Sequence, residues 1–283
     1  MTSESEIAEP WPVPRIDHVM VLVDRPAYDA VAASRFVRER FGRLKEKHAD
    51  SSVAGAYSTL GVAGDNTLIE LFGTEMPGSA PLTGGLVFSF EVPGSSLAAR
   101  ALLDRSEGVE YRYDLVERGI DGEAEKRPWY HLISAGLGEG SPLLLFLNEV
   151  TPEYFAAAGG RPAADGTLRR SDYLDAVLGG RPTDSQAMRD IVGVTLLTGP
   201  ERARAMARTL AVFGFTVTED AGGLEVRGPD LTLRLRIDET ARERITEIRL
   251  RISPERAEPG EFDFSGGSRL VIEANGAARW FFN

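Results

Sequence analysis

The 283-residue chain carries a net charge of −11, with 42% hydrophobic and 27% charged residues and no cysteine. That acidity excludes a general nucleic-acid binder, which needs a basic footprint to displace counterions from phosphate. The lack of cysteine excludes disulfides, thiolate catalysis and zinc–thiolate sites, and fits a reducing compartment. Met1 to Pro14 is acidic and proline-broken, without a signal peptide's apolar core, and no apolar run reaches bilayer length. The expectation is a cytoplasmic protein that needs no membrane, long enough for two ordinary domains.

Arg15 to Asp24 alternates as a strand and carries one of only three histidines, His18. Pro26 opens a helical stretch with apolar Val31, Phe36 and Val37 that closes at Gly42. Strands are expected at Leu44–Asp50 and Gly55–Val62. A turn at Gly64-Asp65-Asn66 then leads into a strand through Glu70 to Phe72. The order is βαβββ. It recurs in the strand Gly84–Val92, a helix capped by Ser95 or Ser96 and stopped at Gly108, and strands at Val109–Val116, Pro128–Ser134 and Ser141–Leu147. Short helices at Pro152–Ala158 and Ser171–Leu178 read as a linker packed on the first half.

The pattern restarts at Asp190–Thr198. A helix opened by Pro200 buries Ala203, Met206, Ala207, Leu210 and Phe213, and strands follow at Phe215–Glu219, Leu224–Arg227 and Leu231–Ile237. Ile245–Ile252, Arg269–Ala274 and Ala278–Phe282 form a fourth module without a helix. The chain therefore divides into a paired domain over 15–150, a helical linker over 151–189 and a degenerate paired domain over 190–283. The fold class is α+β.

Strand alternation places His18 with Ile16, Met20 and Leu22, and Glu70 with Leu68 and Phe72. A carboxylate between Ile69 and Leu71 needs a partner if buried, either His18 or a cation held by both. The alternative is a half-exposed Glu at a sheet edge beside a core histidine.

Ile16-Asp17-His18 opening a strand, a helix ending at Phe41-Gly42, and Gly64-Asp-Asn-Thr-Leu-Ile-Glu70-Leu-Phe72 resemble the vicinal oxygen chelate superfamily. This superfamily holds glyoxalase I, extradiol dioxygenases and the fosfomycin- and bleomycin-resistance proteins. The resemblance implies repeated βαβββ modules paired into two cups of that type. It also implies a divalent metal (iron, manganese, nickel or zinc) on the first-strand His18 and the fourth-strand Glu70. The second module departs from the pattern, with Val87 where a histidine would stand and Leu145 or Phe146 where a carboxylate would. His131 could complete a two-histidine, one-carboxylate set. It could equally be an acid/base group or a core histidine.

Tyr130, with Trp129, Tyr111 and Tyr113, could wall a small organic ligand or simply pack. His48 lies in a charged stretch expected to be solvated. The C-terminal half has Gly193 at the His18 position and no histidine, and its alternating arginines read as the wet face of a sheet. Phosphate-cradling glycine loops and a Gly-x-Ser-x-Gly elbow are absent. Two functions stay open. One is a metal-dependent lyase, isomerase or dioxygenase acting on a small oxygen-chelating substrate, with His131 and Tyr130 as catalytic groups. The other is a metal-free protein that binds or sequesters a small molecule. A homodimer is compatible with both.

Overall fold

The computed structural model describes residues 12–52, 55–74, 76, 81–120, 125–180 and 186–283. Residues 1–11 of the acidic start and 181–185 within the expected linker lie outside these residues. The first βαβββ module consists of β1 (Arg15–Leu22), α1 (Arg25–Ala33), β2 (Arg43–Ser51), β3 (Gly55–Ala63) and β4 (Leu68–Phe72). The second consists of β5 (Gly84–Phe90), α2 (Ser95–Leu103), β6 (Tyr111–Arg118), β7 (Arg127–Ala135) and β8 (Leu143–Val150). Together they close a barrel in the order β1-β4-β3-β2-β6-β7-β8-β5.

The local chemistry explains where the helices begin. Asp24 accepts the Ala27 N–H at 2.7 Å and Pro26 fills the first turn, so α1 starts as the sequence suggests. It stops at Ala33, earlier than expected, and a π-helical turn, Val37–Phe41, carries the chain to Gly42. For α2 the expected serine cap is replaced. Gly94 takes the cap position in a left-handed conformation that a side chain would disfavour. The buried Glu149 of β8 accepts the Gly94 and Ser96 N–H groups at 2.6 and 2.5 Å. A carboxylate suits a helix N-terminus, where unpaired N–H groups and the helix dipole both favour negative charge.

After α3 (Pro152–Ala157) and α4 (Arg170–Leu178) comes β9 (Met188–Thr198), then α5 (Pro200–Ala211) and seven further strands. These are β10 (Thr216–Asp220), β11 (Gly223–Arg227), β12 (Thr232–Ile237), β13 (Arg244–Ile252), β14 (Gly260–Asp263), β15 (Arg269–Ile272) and β16 (Ala277–Phe281). They form an open sheet in the order β10-β11-β12-β9-β13-β16-β15-β14. The fourth module lacks a helix, as the sequence suggests, and gains the short β14, which the sequence did not flag.

The apolar faces of the barrel strands point outward. Val19, Val21, Ile69, Leu71, Leu86, Phe88, Leu145 and Leu147 join one continuous core with Met206, Leu210, Phe213, Leu233, Ile248 and Trp280 from the C-terminal half. Ring pairs span the two halves, Phe88 with Phe215 at 5.7 Å and Phe41 with Trp280 at 6.1 Å. The Gly64–Asn66 turn forms part of the same seam. Asn66 donates to Asp190 at 2.9 Å, and Gly64 lies so close to the Arg189 backbone that a Cβ could not fit. With the apolar faces turned out to this core, the inward faces are free to carry polar groups.

Candidate functional site

The barrel encloses a cavity of about 1490 Å³. His18 and Met20 enter it from β1, and Tyr57 and Thr59 from β3. Leu68, Glu70 and Phe72 come from β4, Val87 and Ser89 from β5, Tyr130 and Leu132 from β7, and Phe146 and Asn148 from β8. α4 lies at the cavity wall, tied on by Arg43 to Asp175 at 2.7 Å, Lys45 to the Val177 carbonyl at 2.6 Å and Trp129 to the Tyr173 hydroxyl at 2.7 Å.

The expected pair is brought together. β1 runs parallel to β4 with His18 beside Leu68 and Met20 beside Glu70, which leaves His18 Nε2 3.7 Å from Glu70 Oε2. Two groups not foreseen complete the cluster. Lys47 of β2 puts its ammonium 3.5 Å from Glu70 Oε1, and the Thr59 hydroxyl donates to the same oxygen at 2.8 Å. Lys47 also stands over the rings of Tyr57 and Trp129, at 5.6 and 5.5 Å from their centroids.

Asp17 is a third newcomer. A register shift between Ile16 and His18 in the β1–β5 pairing breaks strict alternation. Ile16 is thereby buried in the outer core, while Asp17 joins His18 at the cavity, its Oδ1 2.9 Å from Nδ1. This corrects the expectation that Ile16 shares the inward face.

Charge follows from this arrangement. Burial alone would raise the Glu70 pKa, but Lys47, His18 and the Thr59 hydrogen bond outweigh it and hold the carboxyl below its usual range. Burial would lower Lys47, and the Glu70 charge keeps it above its ordinary value. Asp17 also ends below the usual range, because His18 and Arg170 outweigh its burial. Burial, reinforced by Tyr57, Tyr173 and Glu70, drives Tyr130 well above a normal phenol, so it remains a neutral donor.

His131 is not part of this site. Tyr130 and Leu132 line the cavity, and His131 stands on the opposite face of β7, where its Nδ1 is 2.7 Å from the Tyr113 hydroxyl. The Arg100 guanidinium lies over the Tyr113 ring at 4.1 Å. His131 shares that outward face with the buried Ile133, whereas Trp129 turns to the cavity. Tyr111 borders the cavity with Trp129 and Tyr130, whereas Tyr113 stands outside it with His131. His48 is exposed and bonded to Ser58 at 2.7 Å.

The metal set fails on the same geometry. Among the described residues, no group of three His, Cys, Asp or Glu side chains is placed to hold an ion. His18 and Glu70 are two donors where a closed site takes four and an open one usually three. Lys47 already supplies the positive charge that Glu70 requires. The residues present do not fit a bound dication.

The two modules can be superimposed by strand register. With Gly84 of β5 laid on Arg15 of β1, Val87 falls on His18 and Ser89 on Met20. The pairing of Ser89 with Asn148 then matches that of Met20 with Glu70. The counterpart of Glu70 is thus Asn148, not Leu145 or Phe146, and it is an amide. In the C-terminal sheet Gly193 is overlain by the Arg249 side chain, which leaves no room for a Cβ. Arg234 and Arg236 are exposed while Leu233 and Leu235 are buried, which is the wet-face alternation read from the sequence.

The paired βαβββ modules define a fold of the vicinal oxygen chelate type. Residues 16–282 match the model of a family of unknown function, DUF5829, and the chain belongs to that family. No curated protein matches. A hypothetical protein from Staphylococcus aureus has a similar structure, with a TM-score of 0.51 and 12% identity over 90% of this chain and 96% of that one. A Mn(II)-bound glyoxalase from Novosphingobium aromaticivorans aligns at a TM-score of 0.43 and 11% identity, over 83% of this chain and 64% of that one. A homoprotocatechuate 2,3-dioxygenase from Brevibacterium fuscum aligns at 0.39 and 14%, over 82% and 64%. The chain spans less than two thirds of the length of these two enzymes. No helix among the described residues is long and apolar enough to cross a membrane.

Proposed function

We propose that this protein takes up a small, largely apolar organic molecule inside the barrel, and that an ammonium–carboxylate–imidazole centre meets it in place of a bound dication. The Lys47–Glu70 pair carries this reading. The carboxylate at the position that resembles a metal ligand already has a cation 3.5 Å away. An ion entering there would face that ammonium with charge of the same sign, at a cost of several kcal/mol in a protein-like dielectric. The cavity is larger than the roughly 300–1,000 Å³ typical of pockets for drug-sized ligands. One side of it is apolar, formed by Met20, Phe72, Met76, Leu82 and Val87.

Elemental analysis of the untagged protein tests this reading. The expected result is less than stoichiometric iron, manganese, nickel or zinc, with weak calorimetric binding of Mn²⁺ and Zn²⁺ that strengthens in Lys47→Ala. A stoichiometric dication, lost in His18→Ala/Glu70→Ala, would overturn it.

The Asp17–His18 contact favours a second reading, in which the same cup is catalytic. An ionised carboxylate only accepts, so His18 Nδ1 donates to Asp17, and Nε2 is the ring nitrogen that would take a proton from a ligand. Tyr130 and Lys47 would stabilise negative charge on a ligand that loses a proton there. Exchange of α-protons of aryl ketones into deuterated water, followed by NMR, should then be faster with protein and fall to background in His18→Ala. Equal exchange in the variant would rule this reading out.

A further inference from the structure

Two buried polar atoms at the cavity, Asn148 Oδ1 and Arg170 Nη1, have no hydrogen-bond partner, and the buried Ser89 Oγ beside Asn148 faces Asp17. Ser89 is 6% and Asn148 8% exposed, and they are direct neighbours across β5 and β8. Arg170 is held from behind. Its Nε donates to Glu91 at 3.1 Å and its Nη2 to Asp230 at 3.4 Å, which leaves Nη1 unused. Buried polar groups are nearly always paired, and each unpaired one costs roughly 1–3 kcal/mol. These two, with Ser89 beside them, form a preorganised set of donors and acceptors at one cavity.

Resting on the reading of the barrel as a ligand cup, we propose that Ser89, Asn148 and Arg170 form a subsite for a neutral head group that both donates and accepts hydrogen bonds, a hydroxyl or a carboxamide. Charge decides against the ionic alternatives. The Arg170 guanidinium is already neutralised by Glu91 and Asp230, and the neighbouring Asp17 stays ionised. A carboxylate would meet Asp17 with like charge and could donate nothing to Asn148 Oδ1. An ammonium would meet Arg170 with like charge and could accept nothing from it.

Pseudo-symmetry supports the assignment. The matching corner of the first module holds Glu70, fully engaged by Lys47 and Thr59, whereas Asn148 keeps its capacity open. One step along the inward faces of the same strands stand Val87 and Phe146, next to the apolar cluster of Met20, Phe72, Met76 and Leu82. The ligand class is therefore an apolar, aromatic-sized body ending in an alcohol or a primary amide.

The test is binding of phenylacetamide, benzyl alcohol, phenylacetate and toluene to the full chain by NMR titration, with wild type and Ser89→Ala/Asn148→Leu compared. Phenylacetamide and benzyl alcohol should bind the wild type more tightly than phenylacetate and toluene. The double variant should bind the amide about tenfold more weakly, as expected for losing two neutral hydrogen bonds, and bind toluene no less tightly. Ser89→Ala alone, with a smaller loss, serves if the double variant does not fold. Phenylacetate binding as tightly as phenylacetamide, or unchanged amide affinity in the variants, would overturn the subsite and leave the cup reading intact. Failure of all four probes to bind would overturn both.

Discussion

In the first module of the barrel Glu70 projects from β4 and is met by Lys47, Thr59 and His18; in the second, Asn148 projects from β8 at the matching place and its Oδ1 is met by nothing. The difference follows from what each group costs when buried. A carboxylate taken out of water must be compensated within the fold, whereas an amide oxygen left unpaired costs a smaller amount that a stable domain can carry. The first module has therefore closed its polar centre with its own side chains. The second has left one open, which is the arrangement a ligand can use.

The largest expected effect comes from breaking the closed centre. Lys47→Met strips Glu70, 5% exposed, of its ammonium, leaving Thr59 and His18 alone to compensate a buried charge, and should destabilise the protein by about 3 kcal/mol in urea denaturation. That lies at the low end for a buried pair, because Lys47 retains 28% exposure. Adding Glu70→Gln should recover most of the loss, and a double variant no better than Lys47→Met would mean the pair is not the source.

Acid should weaken the same module. The folded state holds Asp17 and Glu70 below their ordinary values of 3.8 and 4.5, so each adds stability that is complete above those values. That stability is lost as pH falls through the depressed folded-state values. Urea midpoints measured from neutral pH down to about 3 should therefore drop in wild type and drop less in Glu70→Gln.

Thr59→Val removes one hydrogen bond to a charged oxygen and should cost about 1.5–2 kcal/mol in the same assay. The smallest effect, and the one of opposite sign, belongs to the second module. Asn148→Leu deletes an unpaired polar atom and Ser89→Ala one contact to Asp17, so each should shift the melting temperature by no more than the equivalent of a few tenths of a kcal/mol, upward for Asn148→Leu. A clear loss of stability in either would show that the second module is as closed as the first.

Much of this was legible in the residues. The period-two patterns of Arg15–Asp24 and Asn66–Phe72 were enough to pair His18 with Glu70, because parallel neighbours on one inward face have little freedom to separate. The outward turn of His131 was not legible. β7 has Trp129, Leu132 and Ile133 across both faces, and hydrophobicity cannot say which face a barrel encloses when its outside is also buried. Lys47 was hidden for the opposite reason. Lys45-Glu-Lys-His48 has the composition of a solvated strand, and only closure of the barrel turns Lys47 inward. Asp17 depended on a register shift beside β5, which leaves no mark in a single sequence. Asn148 was missed by aligning the modules on residue type where strand register was needed.

The rings that cross between the halves carry a consequence for how the molecule comes apart. Phe88 and Phe90 of the barrel lie against Phe215 and Phe213, and Phe36 stacks on Phe262 at 3.9 Å. Neither half owns a complete apolar interior, so neither can melt while the other stays folded without baring a sheet of aliphatic and aromatic side chains to water. The barrel cavity thus draws its rigidity from residues that do not line it. A lesion at Trp280 or Phe213, remote from the cavity, would loosen the cup by the same cooperative transition that unfolds the whole chain.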